Sequence, residues 1–383
     1  MKYYVDNFSA QMHIKRLILH NFRNYAELWI EPDPGLNVLL GRNAQGKTSF
    51  LEAIYVIAIA RSWRAGRDSE LVRWESDQAR VLAEVGREEQ NDISVEVILG
   101  RSEKKQVFIN TIRQTRLADL MGQVNVLLIE PHDVDIVRGE PSHRRRFMNL
   151  EISQVQPLYC HLLVNYRQVL EQRNRLLKDL QARGGRNGVM DVLNEQLVNY
   201  GSKILDRRLN FVARIAGLAR DIHSRITEGS EAVETKYHSR TSLDGADAVD
   251  RLAERLRSRL EEVRDEEIRR GITLVGPQRD DLIFTVNGVD ARTYGSQGQQ
   301  RTIALSLRLA ELELMNETAK EPPIILLDDV MTDLDEGRRK QVFDMTRGRC
   351  QIFVTAPSKR VFAPEFIAGG RIYRVAEGQV TAE

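Results

Sequence analysis

The stretch Gly41-Arg42-Asn43-Ala44-Gln45-Gly46-Lys47-Thr48, with Ser49 after it, decides the fold. It satisfies G-x-x-x-x-G-K-[ST] at every position. The short apolar run Leu36–Leu40 precedes it as a strand, and Thr48–Ala60 follows as a buried helix, the context in which this spacing builds a phosphate-binding loop. Glycines let the backbone curl so that its N–H groups face phosphate oxygens, and the helix N-terminus adds partial positive charge. Lys47 can reach the β- and γ-phosphates, and the Thr48 hydroxyl can ligate Mg²⁺. A chance glycine turn is the competing reading, and the correct strand and helix on either side weigh against it.

A phosphate loop needs a second anchor for its metal. Ile324-Ile325-Leu326-Leu327-Asp328-Asp329 is an apolar strand ending in two acids. In a buried parallel sheet it places Asp328 at the C-terminal edge, where ligands bind. Asp328 is expected to hold Mg²⁺ through water, and Asp329 to orient or deprotonate an attacking water. Roughly 280 residues separate loop and strand, so a nucleoside-triphosphatase core split by a large insertion is expected.

A third element, Tyr294-Gly295-Ser296-Gln297-Gly298-Gln299-Gln300-Arg301, opens a long apolar helix about 30 residues before the acidic strand. Serine and glycine at a helix N-terminus make another phosphate-ready end. Lys47 already attends the one γ-phosphate of ATP, so a second such end suggests sites shared between two molecules. The plainer alternative is an ordinary helix cap at Ser296.

Around these motifs the chain divides by pattern. Residues 1–11 are read as a loose extension without the apolar core of a secretory signal. Met12–Ile30 alternates like a strand with one buried face, and Val81–Gly86, Ile93–Leu99 and Lys105–Ile109 read as an antiparallel sheet. Val124–Ile129 has strand length. From about Ser153 to Arg270 the pattern is helical, broken at Gly184–Gly188, with a short strand near Val233–Tyr237. The α/β pattern returns at Gly271. The expected organisation is 12–150 and 271–383 as two parts of an ATPase lobe, with 151–270 a helical insertion carrying an antiparallel hairpin.

Composition narrows the class. The chain has 383 residues, 42% hydrophobic and 29% charged. Its longest apolar run, Leu51–Ala60, is interrupted by Glu52 and falls far short of the ~20 residues that span a bilayer. The two cysteines, Cys160 and Cys350, form no Cys-x-x-Cys or Cys/His cluster. A cytoplasmic protein without disulfide framework, structural zinc or membrane partner is expected. Net charge is +1, yet 45 of the 56 basic residues are arginines. Arginine suits bidentate phosphate contacts, although arginine-favouring codon usage gives the same bias.

The order of phosphate loop, helical insertion, serine–glycine segment, acidic strand and Thr332-Asp333-Leu334-Asp335 resembles the ABC-type ATPase heads of the SMC and recombination-repair group. Within it, the match is to the RecF family. The residues that carry it are Asn21–Tyr25, Gly41–Ser49, Leu51–Tyr55, Gly139–Phe147, Gln172–Leu177, Gly276–Asp281, Gly295–Thr302 and Leu326–Val330. The resemblance implies an ABC-type α/β head with an inserted helical subdomain. It implies a slow, DNA-stimulated ATPase that dimerises on ATP and acts at gapped or stalled DNA with RecR- and RecO-type partners, helping to load recombinase and supporting the SOS response. Carried over residue by residue, Ser296, Gln297, Gly298 and Gln299 would touch the ATP of the other subunit, with Ser296 and Gly298 at its γ-phosphate. Asp335 would sit in the loop that bridges the two sites, and Thr355 would hold roughly the place of a switch histidine. The chain departs from ABC transporters in having Asp329 where they carry glutamate, and Glu130–Asp133 contains no glutamine for a metal-sensing loop.

Three arginine groups are candidates for duplex, gapped or single-stranded DNA: Arg61, Arg64 and Arg67; Arg144, Arg145 and Arg146; and Arg167, Arg173 and Arg175. Solvated faces or intramolecular ion pairs are the alternative for each. A transporter-type ATPase subunit is the alternative function. Gly295–Gln300 and an insertion of over 100 residues argue against it.

Overall fold

The structure is a computed structural model that describes residues 11–87, 91–183, 188–241, 248–319 and 321–383. The expected extension therefore lies, but for Gln11, outside the described residues, as does most of the expected helix break at Gly184–Gly188. The chain forms two compact units. One takes the described residues up to Asp133 together with Leu305–Glu383; the other is Val134–Ala304.

The first unit holds two six-stranded sheets. One runs Gln379–Ala382, Arg371–Ala376, Leu36–Leu40, Ile352–Ala356, Ile324–Leu327, Val126–Ile129. Every pairing in it is parallel except that of Arg371–Ala376 with Gln379–Ala382. Its inner strands are apolar on both faces, as parallel strands covered on both sides require. The second sheet is antiparallel: Tyr25–Ile30, His13–Phe22, Gln78–Gly86, Ile93–Gly100, Gln106–Ile109, Ile112–Arg113. Helix Lys47–Ile59 packs against strands of both sheets. Phe50 to Ala58 are all buried, which explains why this helix is apolar around its whole circumference rather than along one stripe.

Met12–Ile30 is two strands rather than one. The chain reverses at Arg23-Asn24, with Asn21 and Arg23 at φ 51° and 53°.

The second unit contains helices Pro141–Val155, Pro157–Arg183, Val189–Ile226, Val249–Glu262 and Arg264–Arg270. It also contains a three-stranded antiparallel sheet ordered Val289–Asp290, Asp281–Val286, Val233–His238. The division falls at 134 and 304, not at 151 and 270. Strand Asp281–Val286 pairs along its length with Val233–His238, and Arg144 on helix Pro141–Val155 grips Asp281. These long-range pairings draw both flanks of the helical segment, including Ser296, into its unit.

Candidate functional site

The loop between strand Leu36–Leu40 and helix Lys47–Ile59 is shaped by its neighbours. Gly46 has φ 120°, and a Cβ there would stand 2.7 Å from Asn24 Nδ2 and 3.0 Å from the Tyr25 hydroxyl, so only glycine fits. Asn24 Nδ2 donates to Gln45 O at 2.9 Å, and the Tyr25 hydroxyl donates to Gly46 O at 3.0 Å. Glu377 and Gly378 donate backbone N–H groups to Gln45. Burial pushes the Tyr25 phenol above its ordinary range, so it stays a donor. The Lys47 side chain is buried, and its ammonium donates to Gly41 O at 2.8 Å and Arg42 O at 3.1 Å.

The acidic strand end meets this loop through hydroxyls. Thr48 Oγ1 donates to Asp328 Oδ1 at 2.9 Å, and Thr355 Oγ1 donates to the same oxygen at 2.9 Å. The Thr355 hydroxyl accepts in turn from the Asp329 N–H at 2.8 Å. Asp328 is buried, and desolvation raises its carboxyl above the ordinary value despite those two donors. Asp329 adopts the left-handed region at φ 51°. Its Oδ1 is buried without a hydrogen-bond partner among the described residues. The Thr48 hydroxyl and the Asp328 and Asp329 carboxylates thus gather beside the phosphate loop. That set fits Mg²⁺, a hard cation that takes one or two carboxylates, keeps waters and shares substrate phosphates. Thr48 and Asp328 would hold it.

A cavity of about 460 Å³ opens over these residues, lined among others by Asn43, Ala44, Lys47, Thr48, Ser49 and Asp329. Arg64 is also in its wall, and its charge favours ionised Asp328. Arg64, a candidate DNA contact from the sequence, thus shares its cavity with the phosphate loop. Two residues of this region were not among the candidate site residues of the sequence, although the resemblance had marked Glu130–Asp133 as a loop without the expected glutamine. Glu130 follows strand Val126–Ile129, in register beside the strand that ends at Asp328. Burial, then the Asp133 charge, push its carboxyl up to about 7. Trp74 stands in the cavity wall although it is 87% exposed; nothing in Val-Arg-Trp-Glu marked it.

Ser296 belongs to the second unit. Its Oγ accepts from the Gln299 N–H at 3.2 Å while its own N–H donates to Gln299 Oε1 at 2.9 Å, a reciprocal capping box at the helix start. Gln299 Nε2 also donates to Glu231 at 3.0 Å. Ser296, Gln297 and Gly298 are exposed. Asp335, in the first unit, caps helix Glu336–Thr346 through the Arg338 N–H at 2.9 Å.

The other arginine groups divide by environment. Arg144 is 2% exposed and pairs bidentately with Asp281 at 2.6 and 2.9 Å. Arg145 donates to Asp280 O and is partly buried, while Arg146 is exposed. Arg173 is buried against Glu267 at 2.6 Å, and Arg167 pairs with Glu171. Arg144 and Arg173 are buried in these pairs and cannot reach DNA, which corrects the expectation for them; Arg61, Arg67, Arg146 and Arg175 are exposed.

The family described as RecF/RecN/SMC N terminal domain matches residues 13–379. A DNA replication and repair protein RecF from Bacillus subtilis is 41% identical over 370 residues, 96% of this chain and 99% of that protein. Its counterpart from Geobacillus thermodenitrificans is 42% identical over 97% of this chain and all of that protein. The solved recombination mediator protein RecF with ATP, described as in the RecFOR pathway, superposes with a TM-score of 0.91 at 30% identity, covering 98% of both chains. An Smc head from Pyrococcus furiosus matches with a TM-score of 0.56 at 15% identity over 97% of this chain and 96% of that chain, a likeness of fold alone.

Proposed function

The chain belongs to the RecF family of DNA replication and repair proteins, and from that membership we propose that it is an ATP-timed DNA clamp that works with a RecR-type partner. The observation that carries the reading is the hydroxyl relay of Thr48, Asp328, Thr355 and Asp329. It joins two motifs 280 residues apart into one site. Lys47 and the loop N–H groups bind the triphosphate, and Arg64 adds positive charge there. Bound Mg²⁺ would offset the charge developing on the β- and γ-phosphates. Asp329, held by its N–H, has the free carboxylate oxygen that orients water. Aspartate reaches less far than glutamate, so turnover should be slow. No helix among the described residues is long and apolar enough to cross a membrane, and the transporter reading is not favoured.

Ser296 is exposed at a helix start in a different unit from Lys47. We assign it to the ATP of a second copy, so that nucleotide drives dimerisation. Lys47→Ala and Ser296→Arg should each be inactive alone. In a mixed dimer both lesions fall in one site and leave the other intact, so mixing the two should restore ATPase activity. A mixture that stays dead, with a monomeric mass by light scattering under saturating Mg-ATP analogue, would refute the shared site.

A further inference from the structure

Trp74 is the most exposed large apolar side chain among the described residues, and the backbone beneath it is tightly held. Val72 bridges to Phe22, and the Arg23 and Arg73 N–H groups donate to Leu71 O and Asn21 O at 2.8 Å. The Arg101 guanidinium donates to Arg73 O at 2.8 Å, Ser76 O at 2.6 Å and Val72 O at 3.3 Å. Its carbon also lies 5.9 Å from the Trp74 ring centroid. A loop pinned this firmly presents its indole in a fixed place, and that place is the wall of the phosphate-loop cavity. In the same wall, Asn24 gives its Nδ2 to Gln45 O, while its buried Oδ1 has no partner among the described residues. An aromatic face and an acceptor awaiting a donor are what a nucleobase with its amine or ribose hydroxyls would satisfy.

We infer that Trp74 is the nucleobase platform of this site, stacking on the base of the nucleotide whose phosphates lie in the loop 41–48. The inference rests on the reading of that cavity as a nucleotide site. Base–aromatic stacking is tolerant of base identity but scales with ring area, so the platform favours purines over pyrimidines.

The test compares binding of ATP, CTP and inorganic tripolyphosphate, each with Mg²⁺, to the full chain and to Trp74→Ala and Trp74→Phe. Trp74→Ala should weaken ATP roughly 5- to 100-fold and narrow the ATP-over-CTP preference. Tripolyphosphate affinity should stay within about twofold, because the phosphate loop is untouched. Trp74→Phe should retain most of the ATP affinity. Unchanged ATP binding in Trp74→Ala overturns the inference, and so does an equal loss for ATP and tripolyphosphate. Wild-type protein that binds neither would instead fail the nucleotide-site reading itself, an outcome separable from the other two.

Discussion

Thr355 is the residue on which the site's polar network turns, and Thr355→Val tests that. Valine keeps the shape and removes the hydroxyl. The side chain is wholly buried, so water cannot replace it. Two bonds disappear: the donation to the Asp328 carboxylate at 2.9 Å and the acceptance from the Asp329 N–H at 2.8 Å. A bond to a charged group contributes about 1.5–3 kcal/mol, and a buried N–H left unpaired costs about 1–3 kcal/mol. Asp328 retains Thr48 and can relax by taking up a proton, so the net loss should be about 2–4 kcal/mol. For a unit of this size that is a fall of about 5–15 °C in melting temperature. The Asp328 carboxyl, already raised by burial, loses one of the donors that hold it down and should rise further. ATP turnover should therefore drop more steeply at pH 6 than at pH 8. Thr355→Ser keeps the hydroxyl and should restore both properties. Scanning calorimetry and steady-state ATPase assays at the two pH values decide the matter. A valine variant with wild-type melting temperature and a parallel pH profile would show that the relay contributes nothing.

Gly46→Ala should weaken ATP binding at least tenfold, since φ 120° is strained for alanine by about 1–3 kcal/mol and the Cβ displaces Asn24; isothermal titration would expose an unperturbed site. Glu130→Gln should stabilise the fold at pH 8 by on the order of 3 kcal/mol. Wild-type Glu130, raised to about 7 from 4.5, favours folding fully below pH 4.5 and loses that advantage as pH rises through 7; urea midpoints at pH 5 and 8 should converge on one another in the variant, and an offset independent of pH would contradict this. Arg144→Ala should destabilise by about 3–5 kcal/mol by stranding Asp281, whereas Arg146→Ala should leave the fold intact and make the salt slope of duplex binding shallower by about 0.9; equal melting curves for the two would sink the distinction.

The elements legible in the sequence were those whose cause is local. Leu36–Leu40, Ile324–Leu327 and helix Val189–Ile226 are continuous patterns bounded by glycine, proline or acids, and they form where the pattern ends. The reversal after Phe22 escaped because its turn holds no glycine or proline; of the two residues there with positive φ, Asn21 and Arg23, only Asn21 is of a type that tolerates it. The unit boundary escaped because it depends on strand Val233–His238 finding Asp281–Val286 across an intervening helix pair. The phosphate loop, the acidic strand and the capped serine were visible as motifs, since each needs fixed residue types at fixed spacing. Trp74 belongs to no motif, and Glu130 lies in a segment that departs from the motif expected there. Their roles come from a strand register and a braced loop, which only three-dimensional structure supplies.

The arginine excess shows how composition misleads when read alone. Forty-five arginines in a chain of net charge +1 suit phosphate contacts or reflect codon usage equally well, and several are spent inside the fold. Arg23 grips buried Glu52 with both bonds at 2.8 Å, Arg144 grips Asp281, Arg173 meets Glu267, and Arg308 holds Asp133 at 2.7 Å. These pairs span 29 to 175 residues of sequence. Lysine, a point charge with a costlier desolvation, would not make the same planar fork. Each such carboxylate also cancels a charge, which is one contribution to the near-zero balance. The electrostatic footprint for DNA must then be sought among exposed guanidiniums only, and Arg61, Arg67, Arg146 and Arg175 are the members of the three groups that meet that condition without facing the nucleotide cavity or being paired to a carboxylate.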